Sequence, residues 1–106
     1  MLWKRKRAAA SAPELERPLS VVLYTREGCH LCDAMAAEVE RARRDGLART
    51  PFELRAVDID TDPALVAEHG LSIPVLCIEG RPAFKGRLTA EDFARKLARR
   101  AAEARG

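Results

Sequence analysis

No apolar run in this chain approaches the ~18–20 residues that a bilayer-spanning helix needs. The basic cluster Lys4-Arg5-Lys6-Arg7 is followed only by Ala8-Ala9-Ala10-Ser11-Ala12, too short and too weakly apolar for a signal-peptide core. The expectation is an unexported, cytoplasmic chain without a membrane partner. Cysteine is scarce as well. The chain has three, and an odd, small number at non-repeating spacing is not a secreted disulfide framework. No internal repeat is visible. Excess charge is absent from most of the chain: the net charge is +3, but residues 1–18 hold five basic side chains against two acidic ones, which leaves the remainder balanced. The basic character therefore belongs to the N-terminal stretch, and no nucleic-acid partner is expected.

What is present suits one small globular domain. A chain of 106 residues is long enough to bury roughly two thirds of its unfolded surface without staples. Residues 1–18 read as a basic, poorly ordered extension, because Pro13 and Pro18 bracket a polar segment after an Ala/Ser stretch. The domain is expected over 19–106.

Within it the patterns alternate between strand and helix. Leu19–Thr25 is apolar and rich in β-branched residues, so it reads as a strand buried on both faces. Gly28 breaks the chain, and a helix starts near Cys29. Its buried stripe is Cys32, Met35, Ala36, Val39 and Ala42, and Gly46 is its left-handed stop. Phe52–Ile59 alternates like an edge strand. Asp58, Asp60 and Asp62 surround the start of a short helix, 64–69, and read as caps. Gly70 is expected to end that helix in the left-handed conformation, with Leu71 making the accompanying apolar contact and His69 facing the helix dipole. Pro74–Ile78 and Arg81–Lys85 form a hairpin around Glu79-Gly80, with Pro82 placing the second strand at an edge. Thr89 caps the last helix, with Asp92 as capping-box partner, Leu88 and Phe93 as the staple, and Phe93, Ala94, Leu97 and Ala101 as its buried stripe. The order is β-α-β-α-β-β-α, an α/β domain with a four-stranded mixed sheet and helices on both faces. Its first βαβ unit is parallel and right-handed.

The chemistry concentrates at Arg26-Glu27-Gly28-Cys29-His30-Leu31-Cys32. Two thiols three positions apart, at a strand-to-helix junction, point to redox exchange. The helix N-terminus stabilises an anion, and Arg26 adds a positive charge three residues earlier, so the Cys29 thiol is expected to ionise more readily than a free cysteine. Cys32 lies one turn deeper, where it can attack a mixed disulfide on Cys29. His30 is either a cation favouring the thiolate or an exposed neutral linker residue. Cys77, mid-strand in an apolar run, reads as a core residue.

The chain from about Leu19 to Arg100 resembles the glutaredoxin branch of the thioredoxin-like superfamily. Tyr24–Cys32 is similar to that family's strand-end basic residue and C-x-x-C. Ser72-Ile73-Pro74-Val75 resembles its cis-proline segment, Val57–Asp60 its second-strand ending, and Gly86-Arg87-Leu88 its glycine pair before the last helix. The Cys-His-Leu-Cys sequence resembles a bacterial glutaredoxin-like subfamily. This implies a thioredoxin-like fold and a thiol–disulfide oxidoreductase, with Cys29 and Cys32 catalytic. Arg26, His30, Ile73, Pro74, Gly86 and Arg87 would contact substrate. It also implies a monomer with no bound cofactor or metal. Its substrate would be a disulfide-bearing protein or a glutathione mixed disulfide, and its electron donor glutathione or a thioredoxin-type reductase. Arg87 stands where the family has its second glycine, and His30-Leu31 where dithiol glutaredoxins commonly have Pro-Tyr. Two other functions are weighed beside it: a metal-binding module built on Cys29, Cys32, Cys77 and a histidine, and a non-catalytic thioredoxin-fold adaptor.

Overall fold

The computed structural model describes residues 17–105, so the basic cluster and most of the expected extension lie outside the described residues. The elements follow the expected order: β1 (Leu19–Thr25), α1 (His30–Arg44), β2 (Phe52–Asp58), a 3-10 turn (Ile59–Thr61), α2 (Pro63–His69), β3 (Val75–Ile78), β4 (Arg81–Lys85) and α3 (Ala90–Arg105). They build a thioredoxin-like α/β fold. The sheet order is β2-β1-β3-β4, which puts the most apolar strands in the centre. Strands β1 and β2 run parallel from Leu19↔Phe52 to Thr25↔Asp58. Strand β3 is antiparallel to β1, from Val21↔Ile78 to Tyr24↔Val75, and β4 is antiparallel to β3. Both edge assignments hold, and Pro82 sits on β4, where a missing N–H removes no central ladder bond.

One face of the sheet carries the main core. Leu19, Val21 and Leu23 of β1, Phe52 of β2, and Leu76 and Ile78 of β3 meet Met35, Val39 and Ala42 of α1. They also meet Ala90, Phe93, Leu97 and Ala101 of α3. Phe93 is fully buried and packs edge-on against Phe52, with ring centroids 5.2 Å apart. Each such side chain contributes roughly 1.5–3 kcal/mol through burial. Alternation turns Val22, Tyr24, Val75 and Cys77 to the opposite face. There the His69 ring stacks on Tyr24 at 4.4 Å. His69 thus lies in the last turn of α2 as expected, but it is a buried packing residue rather than only a partner for the helix dipole.

Both helix ends on this scaffold are informative. Helix α1 closes as expected: Leu47 N–H reaches Ala42 C=O at 2.9 Å and Gly46 N–H reaches Arg43 C=O at 3.2 Å, the paired bonds of a Schellman stop. Helix α2 does not. Gly70 has φ −55°, a right-handed conformation, and Leu71 is fully exposed, so both expectations fail. Glycine is needed there for space: a Cβ would sit 2.5 Å from the Val66 carbonyl oxygen, the atom to which Gly70 N–H already bonds at 2.8 Å. Gly70→Ala is therefore expected to destabilise the fold by about 1–3 kcal/mol in urea unfolding. An unchanged midpoint would show that the turn relaxes freely.

The start of α3 also departs from expectation. Thr89 Oγ1 accepts Asp92 N–H at 3.1 Å, as a cap should. The reciprocal bond is missing, because the Asp92 carboxylate pairs with Arg95. Glu38 of α1 takes the adjoining free donor, Ala90 N–H, at 2.9 Å. Glu38 also binds Arg41 at 3.2 Å, and Arg41 reaches Glu91 at 2.9 Å, so a charged cluster ties the first turn of α3 to α1. These contacts hold the Glu38 carboxyl below its usual range, chiefly through Arg41 and then through Ala90 N–H.

Candidate active site

The cysteine pair is placed by a turn and a helix start. Cys29 N–H bonds Arg26 C=O at 3.2 Å, closing a four-residue turn. The third residue of that turn is Gly28 at φ +82°, a conformation other L-residues adopt only with strain. Cys29 is then the N-cap of α1, with an extended backbone, and its C=O accepts Asp33 N–H at 3.1 Å. Its sulfur does what a capping oxygen would do: Cys29 Sγ accepts Cys32 N–H at 3.1 Å. Serine and aspartate are favoured at this position because they accept such an orphan N–H. A thiolate accepts it better than a thiol, so the helix start selects the charged sulfur.

The two cysteines form a disulfide, with Cα atoms 5.2 Å apart. They differ in access. Cys29 is partly exposed, whereas Cys32 faces the core and is 2% exposed. The third cysteine stands apart. Cys77 lies on β3 opposite Val22, is buried, and is not in a disulfide. Burial pushes its thiol pKa up, and nearby Glu68 acts in the same direction. Among the described residues no three His, Cys, Asp or Glu side chains converge as a metal-holding group.

The other site residues predicted from sequence gather at the same end of the sheet. Tyr24 pairs with Val75, so Pro74 lies beside Thr25, at the end of β1 from which the cysteine turn departs. The Ile73–Pro74 bond is cis, as the resemblance implied, and Pro74 is fully buried. Pro74 C=O accepts Gly86 N–H at 2.8 Å, which docks the Gly86-Arg87 segment against the proline. His30 opens α1 and is exposed.

Arg26 is arranged differently from the expectation. Its guanidinium is held by both oxygens of Asp60, with Nε at 3.0 and 3.2 Å and Nη2 at 2.8 Å. That pairing raises the Arg26 pKa and offsets its charge locally. The helix start, rather than a free Arg26 cation, is therefore the main stabiliser of a thiolate at Cys29. Asp60 thereby leaves the expected capping set, in which Asp58 accepts Asp60 N–H at 2.9 Å and Asp62 accepts Ala64 N–H at 2.9 Å.

One feature of the site escaped the sequence reading. Leu31, between the cysteines, is 41% exposed and forms the wall of a groove of about 450 Å³. Ala34, Met35 and Glu38 continue that wall along α1, and Gly86–Thr89 with Asp92 form the other side. The helical stripe held the signal: Cys32 and Met35 face the core, so Leu31 had to face outward.

Known proteins agree with this architecture. The glutaredoxin-like domain family (DUF836) matches residues 20–98. A structural-genomics target protein from X. campestris is 31% identical, with 74% of this chain and 96% of that one covered and a TM-score of 0.61. A protein from Nitrosomonas europaea is 30% identical over 76% of this chain and 93% of its own, at a TM-score of 0.60. Thioredoxin-2 of the malaria parasite shares the fold at 15% identity and a TM-score of 0.57, over 77% of this chain and 82% of that one. No curated protein matches the chain. No helix among the described residues is long and apolar enough to cross a membrane. With the match covering all but the ends of the domain and the cysteine pair at the helix start, the chain belongs to the glutaredoxin-like domain family of thioredoxin-fold proteins.

Proposed function

We propose that the protein is a thiol–disulfide oxidoreductase that reduces disulfides through the Cys29/Cys32 dithiol. One observation carries this reading: the partly exposed Cys29 sulfur caps α1 and accepts Cys32 N–H, while Cys32 is buried one turn behind it. The helix start lowers the free energy of the Cys29 thiolate, which is the form that attacks.

The reaction balances as two exchanges. The Cys29 thiolate attacks one sulfur of the substrate disulfide. A Cys29–substrate S–S bond forms, the substrate S–S bond breaks, and the leaving thiolate takes a proton from solvent. Cys32 then loses its proton and attacks the Cys29 sulfur. The Cys29–Cys32 bond forms, the mixed disulfide breaks, and the second substrate thiol is released. Two electrons pass from the dithiol to the substrate. An external thiol, either glutathione or the dithiol of a thioredoxin-type reductase, returns the pair to its reduced state. Ile73 and Pro74 lie at the end of the sheet from which the cysteine turn departs, and an extended substrate could pair with the Ile73 backbone by strand addition. Gly86 and Arg87 would meet the substrate on the other side. The protein acts on a disulfide-bearing protein or a glutathione mixed disulfide, as a monomer in the cytoplasm.

The decisive experiment compares donors. Insulin reduction is followed with glutathione plus its reductase, and separately with thioredoxin reductase. Sustained turnover with one donor is the expected result. If neither donor supports turnover, and the chemically reduced protein also leaves insulin and small disulfides intact, the non-catalytic adaptor reading takes its place.

A further inference from the structure

The groove beside Leu31 has a composition that the exchange chemistry does not require. Its floor and walls are apolar: Leu31, Ala34, Met35 and Leu88. Its charges are uneven. Glu38 is occupied by Arg41 and Ala90 N–H, and the Asp92 carboxylate by Arg95. Arg87 is exposed on the rim, and among the described residues its guanidinium has no carboxylate within ion-pair distance. The groove therefore offers an apolar slot with one uncompensated positive charge, starting at Leu31, the second of the two residues between the cysteines. Its volume, about 450 Å³, lies within the range of sites that enclose a ligand.

We infer that this groove is a specificity pocket for a polypeptide substrate, taking a large apolar side chain close to the target cysteine, with a carboxylate beside it paired to Arg87. The inference rests on the disulfide-exchange reading above. A polypeptide is favoured over free glutathione because glutathione carries no apolar side chain to fill the slot. Acidic flanking residues are favoured over basic ones because the rim carboxylates already have partners and the rim cation does not. Covering Leu31 would also remove apolar surface that the free protein leaves wet. As strand addition at Ile73 would hold the peptide backbone, the groove would select the side chain.

The test uses the reduced full-length protein and three short peptides. Each carries one cysteine as a mixed disulfide with a coloured aromatic thiol. The cysteine is flanked by leucine and glutamate, by alanine and glutamate, or by leucine and lysine. Attack by Cys29 on the peptide sulfur forms the Cys29–peptide bond and releases the coloured thiolate, which is read directly. The leucine–glutamate peptide should react about 10-fold faster than its alanine counterpart, the difference expected for burying one large aliphatic side chain. It should react about 3-fold faster than the lysine peptide, as for one exposed charge pair. Leu31→Ser should flatten the leucine/alanine ratio, and Arg87→Glu should invert the glutamate/lysine ratio. Equal rates for all three peptides, or a preference for lysine in the wild type, would overturn the groove assignment. Hydroxyethyl disulfide serves as a separate arm. If it is reduced while the peptides are not distinguished, only the groove fails; if nothing is reduced, the exchange reading fails with it.

Discussion

Cys32→Ser is expected to stop turnover while leaving one productive attack per chain, and Cys29→Ser is expected to abolish reaction altogether. The asymmetry follows from position. Cys29 caps α1 with its sulfur and is open to solvent, whereas Cys32 is 2% exposed. Without Cys29 the remaining thiol is buried and lacks the helix N-terminus that stabilises a thiolate. Insulin reduction by Cys29→Ser should fall to background, a loss of at least ~10³-fold when the nucleophile is removed. With serine at position 32, Cys29 can still form a mixed disulfide, but no internal thiol displaces the substrate. Mass spectrometry after addition of excess disulfide should show one adduct at Cys29 and negligible cycling. Free cycling of Cys32→Ser would assign resolution to an external thiol and make the mechanism monothiol. Full activity of Cys29→Ser would sink the assignment of the nucleophile.

Arg100→Leu is expected to cost about 2–4 kcal/mol of stability, a large share of the ~5–15 kcal/mol typical of a domain. Arg100 is the one arginine among the described residues that is buried, at 9% exposure. Its guanidinium donates to three carbonyls of the β3–β4 hairpin: Ile78 at 3.0 Å, Arg81 at 3.2 Å and Pro82 at 2.9 Å. The planar fork suits this task, since several acceptors share one rigid donor group. Leucine would fill part of the volume but leave those carbonyls short of a donor in a site from which water is largely excluded. Guanidinium unfolding should show the midpoint shift without a change in slope. Arg100→Lys should recover only part of the loss, because a single ammonium does not span three acceptors. A shift below ~0.5 kcal/mol would mean that solvent replaces the lost bonds.

Much of the fold was legible because its signals are local. The apolar run of β1, the stripe through Met35 and Val39, Gly46 and the Thr89 cap each act within a few residues. The cis peptide and the glycine-pair region came from resemblance, since no local pattern distinguishes one X-Pro bond from another. What escaped depends on contacts between distant segments. Arg100 looks like any charged residue on an amphipathic helix until the hairpin folds against it. Asp60 reads as a cap by spacing, yet Arg26, far away in the chain, claims its carboxylate. Glu38 displaced Asp92 as the partner of the α3 start in the same way. Gly70 has the composition of a left-handed stop, but the approach of the Val66 carbonyl decides its role. At the candidate site the dithiol was readable, but the groove beside it was not, because its second wall comes from the loop before α3.

The central position of β1 also bears on how the chain is made. β1 is the first of the described strands to leave the ribosome, yet its ladder is completed only by β2 on one side and by β3, much later in the chain, on the other. During synthesis β1, α1 and β2 can assemble as a parallel unit, while the apolar face of β1 waits for α3, the last of the described elements in chain order. The cysteine pair emerges with that early unit. Its thiols are therefore present on a nascent chain whose core is still open. That makes this interval the time at which wrong sulfur pairings, or capture by a chaperone, would be decided.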